Sequence, residues 1–227
     1  MNIKNHTALI LVICLVLGIM ILSFVPREVF EPVITGKVIT KVFIIRRIQF
    51  NCSFSLYKGW NLVSMPCLTY ANDRDTMLAT INSSYYSIHT YIKVDTKDPW
   101  KSYNPSLPSW VVQDLSNITE VNGYWFNMTE NGTWNISGKI IWPFAIDMYQ
   151  GWNLVGFHSN ATIGFNDSLD NIKGKYSAVY QYDANHSQWL VYYPNLPPWV
   201  VQNLTNMTLY YGYWINMTQD STWIYGA

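Results

Sequence analysis

The chain is 227 residues long, 49% apolar and 16% aromatic, with only 12% charged residues, 14 basic balanced by 14 acidic. That length suits one to two domains, and the apolar content excludes a disordered chain. The neutral balance leaves no electrostatic footprint for nucleic acid, so something other than charge must keep the surface soluble.

From Ala8 to Val25 eighteen residues carry no charge, with Lys4 before them and Pro26, Arg27 and Glu28 after. A bilayer core takes about 20 mostly apolar residues, with a range of roughly 17–25. Residues 1–27 are therefore expected to form a retained signal anchor with a transmembrane helix. A cleaved leader is the alternative, but its apolar region is normally about 7–15 residues and ends in a small-x-small site. Ser23-Phe24-Val25-Pro26 offers no such site.

Orientation is read from the sequons. Basic residues downstream of the run (Arg27, Lys37, Lys41, Arg46, Arg47) would favour a cytoplasmic C-terminus by the positive-inside count. Against this stand twelve Asn-x-Ser/Thr matches after the run: Asn51, Asn82, Asn117, Asn127, Asn131, Asn135, Asn160, Asn166, Asn185, Asn203, Asn206 and Asn216. A thirteenth, Asn5, precedes it, whereas chance gives about three in a chain of this composition. Asn and Thr suit turns, yet turn chemistry does not fix their spacing, and a sequon is an acceptor only in a translocated segment. The expectation is a single-pass protein of the cell membrane with its C-terminal part extracellular and coated in N-glycans.

Residues 28–56 form a β-rich stalk or linker, with alternation at Val38, Thr40, Val42 and Ile44. It reads equally as a stalk, an edge strand on the domain downstream, or a strand given to a neighbouring copy. Cys52 and Cys67 flank the turn at Tyr57–Trp60. They read either as a disulfide, plausible in an oxidising compartment, or as two free thiols.

An internal repeat governs the rest. YKGWNLV at 57–63 recurs as YQGWNLV at 149–155, and NGYWFNMT at 122–129 as YGYWINMT at 211–218. Between them WKSYNPSLPSWVVQDLSNIT at 100–119 recurs as WLVYYPNLPPWVVQNLTNMT at 189–208. Five Trp pairs match (60/152, 100/189, 110/199, 125/214 and 134/223), leaving Trp142 unpaired in a connector over 139–148. The repeat domains are set at 57–138 and 149–227.

Each unit is expected to be mainly β (α+β). It opens with a strand at GWNLV and continues with a short helix at 75–81 or 167–173. Strands follow at 86–94 or 176–182, returning through Trp100 or Trp189 as a hairpin. The WVVQ segment could make one or two helical turns. GYW opens a strand, and a last strand lies at 133–136 or 222–225. This order resembles a repeat family of archaeal and bacterial cell-surface, S-layer-associated proteins that opens with Gly-Trp-Asn-Leu and closes with Gly-Tyr-Trp. The ITGKV stretch is similar to the start of many archaeal exported proteins. The resemblance implies a surface module and brings no catalytic residue.

The paired Trp are expected to be core, since burying one aromatic removes about 150–250 Å² from water and an 80-residue unit needs such anchors. Trp142, Tyr91, Tyr103, Tyr192 and Tyr193 are the candidates for stacking a sugar ring. Asp95 and Asp183 begin turns and are expected to cap backbone there, and Asn61 and Asn153 to bond backbone within theirs. His6, His89, His158 and His186 show no zinc spacing, no Asp-rich loop suits calcium, and no phosphate loop or nucleophile elbow is present. The expectation is no enzyme, no metal and no cofactor. The chain reads as a structural or adhesion protein of a cell envelope, surface filament or virion, its partners being the membrane and other surface proteins or copies of itself. A carbohydrate-binding module acting through exposed aromatics is the alternative, and a surface hydrolase a further one.

Overall fold

The computed structural model describes residues 33–35, 38–40, 50–69, 71–140, 144–157 and 162–225. The expected membrane span, Trp142, Asn5 and Asn160 lie outside these residues. Among the described residues no helix is long and apolar enough to cross a membrane. The chain divides into two units, 1–48 and 49–227. In the first, Val33–Thr35 (β1) pairs antiparallel with Val38–Thr40 (β2).

The second unit is mainly β and holds both sequence repeats. In the first repeat Gly59–Val63 (β4), Tyr85–Tyr91 (β5), Trp100–Tyr103 (β6) and Tyr124–Met128 (β7) make an antiparallel sheet in the order β4-β7-β5-β6. Phe50–Leu56 (β3) pairs with Gly132–Gly138 (β8) as a separate ribbon. The second repeat has the same plan. Gly151–Gly156 (β10), Tyr176–Asp183 (β12), Gln188–Tyr192 (β13) and Gly212–Met217 (β15) run in the order β10-β15-β12-β13, and Phe144–Met148 (β9) pairs with Ser221–Tyr225 (β16). The small pair Ile163–Gly164 (β11) and Asn206–Met207 (β14) has its counterpart in the first repeat as the single bridge Asp73–Asn117. The ribbons shift the edges read from sequence: β3 falls in the stretch assigned to a stalk and β9 in the assigned connector. In both cases the strand before GWNLV closes on the last strand of its own repeat.

The helices are shorter than the pattern suggested. Arg74–Leu78 (α1) is capped by Asp73, whose Oδ1 accepts the Thr76 N–H at 2.9 Å, and runs into a 3-10 turn at Ala79–Ile81. Its counterpart Phe165–Ser168 (α2) precedes a 3-10 turn at Asp170–Ile172. The expected helical turns at WVVQ are absent. Val111 and Val200 each close one turn back to Pro108 and Pro197 at 2.9 Å. The following side chains then leave the helix path, because Asp114 Oδ1 accepts the Ser102 N–H and Asn203 Oδ1 the Val191 N–H, both at 2.7 Å. Side-chain acceptors of this kind compete with helical hydrogen bonding.

Each repeat has its own core, centred on Trp134 and on Trp223, both fully buried. Their indole N–H groups donate to the carbonyls of Met77 (2.8 Å) and Ser168 (2.7 Å), anchoring each last strand to its helix. In the first repeat the structure joins Cys52 to Cys67 in a disulfide, with Cα atoms 6.0 Å apart.

The two signature motifs join the repeats. Gly59 and Gly151 have φ of +91° and +90°, a conformation side chains resist. Asn61 and Asn153 then satisfy the turn: each Oδ1 accepts the N–H four residues back at 2.9 Å, and each Nδ2 donates to two turn carbonyls. Leu62 and Leu154 reach across to the other repeat. A Cβ on Gly123 would stand 2.7 Å from Leu154 Cδ1, and one on Gly212 would stand 3.1 Å from Leu62 Cδ1. The backbones meet there as well, through the bridges Val63–Tyr211 and Val155–Asn122. Ser64 N–H donates to Tyr210 O at 2.8 Å and Gly156 N–H to Val121 O at 2.9 Å. These contacts are equivalent by pairs, so the seam is a pseudo-twofold in which the Gly-Trp-Asn-Leu of one repeat locks onto the Gly-Tyr-Trp of the other.

Candidate functional site: an aromatic cleft across the seam

Strand alternation decides what faces the cleft. In β7 the core side takes Tyr124, Phe126 and Met128, which leaves Trp125 on the opposite face. In β4 the buried Asn61 and Val63 leave Trp60 outward, and in β5 the buried Ile88 and Thr90 leave His89 and Tyr91 outward. The second repeat presents Trp152, Trp214, Tyr180 and Tyr182 by the same rule, and Trp100 and Trp189 stand on the returning strands.

These rings meet across the seam. Trp125 lies 5.4 Å from Tyr182 and 5.6 Å from Trp189. Trp214 mirrors it, 5.3 Å from Tyr91 and 6.0 Å from Trp100. Two cavities run along the surface. One, of about 470 Å³, is bounded by Trp60, His89, Trp100, Trp125, Tyr182 and Trp189. The other, of about 530 Å³, is bounded by Tyr91, Trp152, Tyr180, Trp189 and Trp214. Trp189 belongs to both. Among the described residues no Lys, Arg, Asp or Glu lines either cavity; burial lowers the His89 pKa, and the hydrogen bond to Tyr193 raises that of Tyr180.

The expectation that the paired Trp build the cores is thus corrected. Trp134 and Trp223 do, whereas Trp60, Trp100, Trp152 and Trp189 remain 39–46% exposed and Trp110 and Trp199 are 81% exposed. The physical reason is the two-faced sheet: one face is filled by Tyr, Phe, Ile and Met, leaving no room for indoles on it. Of the stacking candidates named from sequence, Tyr91 lies in the cleft and Tyr193 at its margin, its hydroxyl 2.6 Å from that of Tyr180. Tyr103 instead packs on the first core beneath the Arg74 guanidinium, 3.5 Å from its ring centroid, and Tyr192 stacks on Phe165 at 4.2 Å. Sequence reasoning missed Trp60, Trp125, Trp189 and Trp214. For Trp125 and Trp214 the signal was present: a Trp between two large apolar residues in a strand must face away from the core those residues fill.

Asp95 and Asp183 cap their turns as expected, Asp95 Oδ1 accepting the Lys97 and Asp98 N–H groups and Asp183 Oδ1 those of Asn185 and His186. Among the described residues no cluster of His, Cys, Asp or Glu could hold a metal ion. Of the described sequon residues none is buried; Asn127 and Asn216 are half-buried and the others exposed, while Asn61 and Asn153, which are not sequons, are buried.

Fold and site together define a β-rich tandem-repeat protein with a solvent-open aromatic cleft built by both repeats and lined, among the described residues, without charge. No protein-family model, curated protein or solved structure matches the chain.

Proposed function

We propose that this chain is a membrane-anchored, N-glycosylated cell-surface protein whose aromatic cleft binds carbohydrate. The single observation that carries the reading is the cleft itself, where indole and phenol rings held in place by strand pairing stay open to solvent across the seam. A pyranose presents a flat face of C–H groups that suits an aromatic ring, and sites of this kind combine apolar walls with few polar groups. The absence of charge from the lining favours a neutral chain over an ionic one. The apolar run at 8–25, the density of sequons and the likeness to surface repeat modules support an extracellular setting, where such a ligand is abundant. Glycans on the exposed sequons would also solubilise this charge-poor surface.

The test is the full chain in lipid nanodiscs applied to an array of neutral and acidic oligosaccharides, followed by titration of the best binders. Binding that falls at least tenfold in Trp125→Ala and in Trp189→Ala, but not in Trp110→Ser, is expected. An array without a binder, or binding indifferent to both cleft tryptophans, rejects the reading.

A structural or adhesive role in an envelope layer or filament is the second reading. It is favoured by the paired loops that hold Trp110 and Val112 (81% and 92% exposed) and Trp199 and Val201 (81% and 93%) in the solvent. Exposed apolar tips of this kind suit contact with another copy or another surface protein. Cross-linking mass spectrometry on source cells, with glycopeptides read in the same run, tests both setting and assembly. Links between identical copies through Lys93 or Lys101 would support it, and unmodified sequons would remove the extracellular placement.

A further inference from the structure

A larger cavity, of about 690 Å³, adjoins the cleft where Phe54 and Tyr57 of the first repeat face the β12–β13 turn and residues 203–211 of the second. We propose that this cavity is a recognition pocket for one neutral sugar residue, fixing which oligosaccharide the aromatic cleft accepts. The proposal rests on the carbohydrate reading above and adds the class of ligand and the residues that select it.

Three observations converge. The first is continuity: Tyr182 lines both this cavity and the cleft, so a chain stacked on Trp125 and Trp189 would run directly into it. The second is Gln181. The residue is 6% exposed and lines the cavity, its amide makes no hydrogen bond to any described residue, and its polar atoms are not among the buried unpaired ones, so the amide opens onto the cavity. A primary amide both donates and accepts, as a sugar hydroxyl does. The matching position in the first repeat is Thr90, whose hydroxyl is already committed to Gly123 O at 2.7 Å. The third is asymmetry. The pseudo-equivalent cavity, beside Ile92, Lys93, Ile146 and Asp147, is only about 230 Å³. The duplicated scaffold has opened the wider pocket on one side.

The lining specifies the ligand. Asp183 is held rigid by the Asn185 and His186 N–H groups and by His186 Nδ1 at 2.7 Å, and its carboxylate is an acceptor for sugar hydroxyls. Tyr57 and Tyr211 add hydroxyls, and burial together with the Asp183 charge pushes the Tyr211 pKa up, so it stays a neutral donor. Among the described residues no Lys or Arg lines the cavity. A uronate, sulfate or phosphate would enter beside a carboxylate without a fixed countercharge, at a desolvation cost. A neutral residue meets only acceptors and donors it can satisfy.

The experiment uses the full chain, produced without N-glycosylation so that the sequon residues Asn185, Asn203 and Asn206 of the lining carry nothing, and placed in nanodiscs. Cellohexaose, mannohexaose, chitohexaose and hexagalacturonate are titrated calorimetrically. A neutral hexamer is expected to bind at least tenfold more tightly than hexagalacturonate. Gln181→Leu and Asp183→Asn should each weaken it at least tenfold, and Asp183→Asn should also narrow the gap to hexagalacturonate. Should Gln181→Leu melt early, Asp183→Asn carries the test alone, since that carboxylate is partly solvent-exposed. If neutral binding is lost in Trp125→Ala but unchanged in both pocket variants, or if hexagalacturonate binds equally well, the pocket is refuted while the cleft stands. If no hexamer binds, or binding ignores Trp125→Ala, the cleft reading and this inference fall together.

Discussion

Replacing Gly212 by Ala tests whether the seam between the repeats sets the cleft. The new Cβ would lie 2.9 Å from Val63 O and 3.1 Å from Leu62 Cδ1. The carbonyl belongs to β4 and cannot retreat without disturbing the Val63–Tyr211 bridge, so the methyl must push the repeats apart. Overpacking of this kind costs about 1–3 kcal/mol. For a unit of this size each kcal/mol lowers the melting temperature by roughly 2–4 °C. A loss of about 2 kcal/mol therefore predicts a fall of roughly 4–8 °C by scanning calorimetry. Gly123→Ala, with contacts of 2.7 Å to Leu154 Cδ1 and 2.9 Å to Val155 O, should fall by a similar amount because the seam is pseudo-symmetric. Gly132→Ala is the control, since its Cβ would meet only Met128 Cε at 3.6 Å. Both seam variants should also change the tryptophan fluorescence, because Trp125 and Trp214 touch rings of the opposite repeat. A Gly212→Ala protein that melts with the control and keeps the native emission would refute the seam as drawn.

Three further outcomes rest on the same geometry. Trp223→Phe strands the Ser168 carbonyl that the indole serves at 2.7 Å, and an unsatisfied buried acceptor costs about 1–3 kcal/mol; Trp134→Phe should match it in denaturant unfolding through Met77. Reducing Cys52–Cys67, which are 15 residues apart, should lower stability by about 3 kcal/mol on loop entropy; unchanged melting under reductant would count against the bond. The His89 pKa is lowered by burial, so on acidification the unfolded chain takes up its proton first. Stability should be complete above the ordinary histidine value, about 6.5, and fall as pH drops below it. His89→Gln should flatten that part of the pH–melting profile, and an equal slope in both proteins would exclude His89 as its source.

Much of the architecture is written locally. The 57–63 and 149–155 motifs place a glycine turn, a buried asparagine brace and an opening strand because only glycine accepts φ near +90° and only a side-chain amide serves that turn from both sides. The hairpins ending in Trp100 and Trp189 arise from their polar turns and capping aspartates. The alternation read over 38–44 did not mark the strand over 50–56 or its partner, because β3–β8 pairing joins segments at opposite ends of the repeat.

The cleft was legible only in part. The alternation of Trp125 with Tyr124 and Phe126 shows that the strand is apolar on both faces, but not what the second face meets. The sequence by itself determined the duplication, the β-rich units, the charge-poor surface and the turn chemistry, all consequences of local spacing and residue type. Tertiary structure decided that one repeat packs against the other, that four indole pairs leave the cores, and that Gln181 and Asp183 open onto a pocket of about 690 Å³ whose counterpart holds about 230 Å³. Those outcomes depend on which backbone can approach which across the seam, and a glycine facing a leucine of the other repeat leaves no mark that either residue alone could carry.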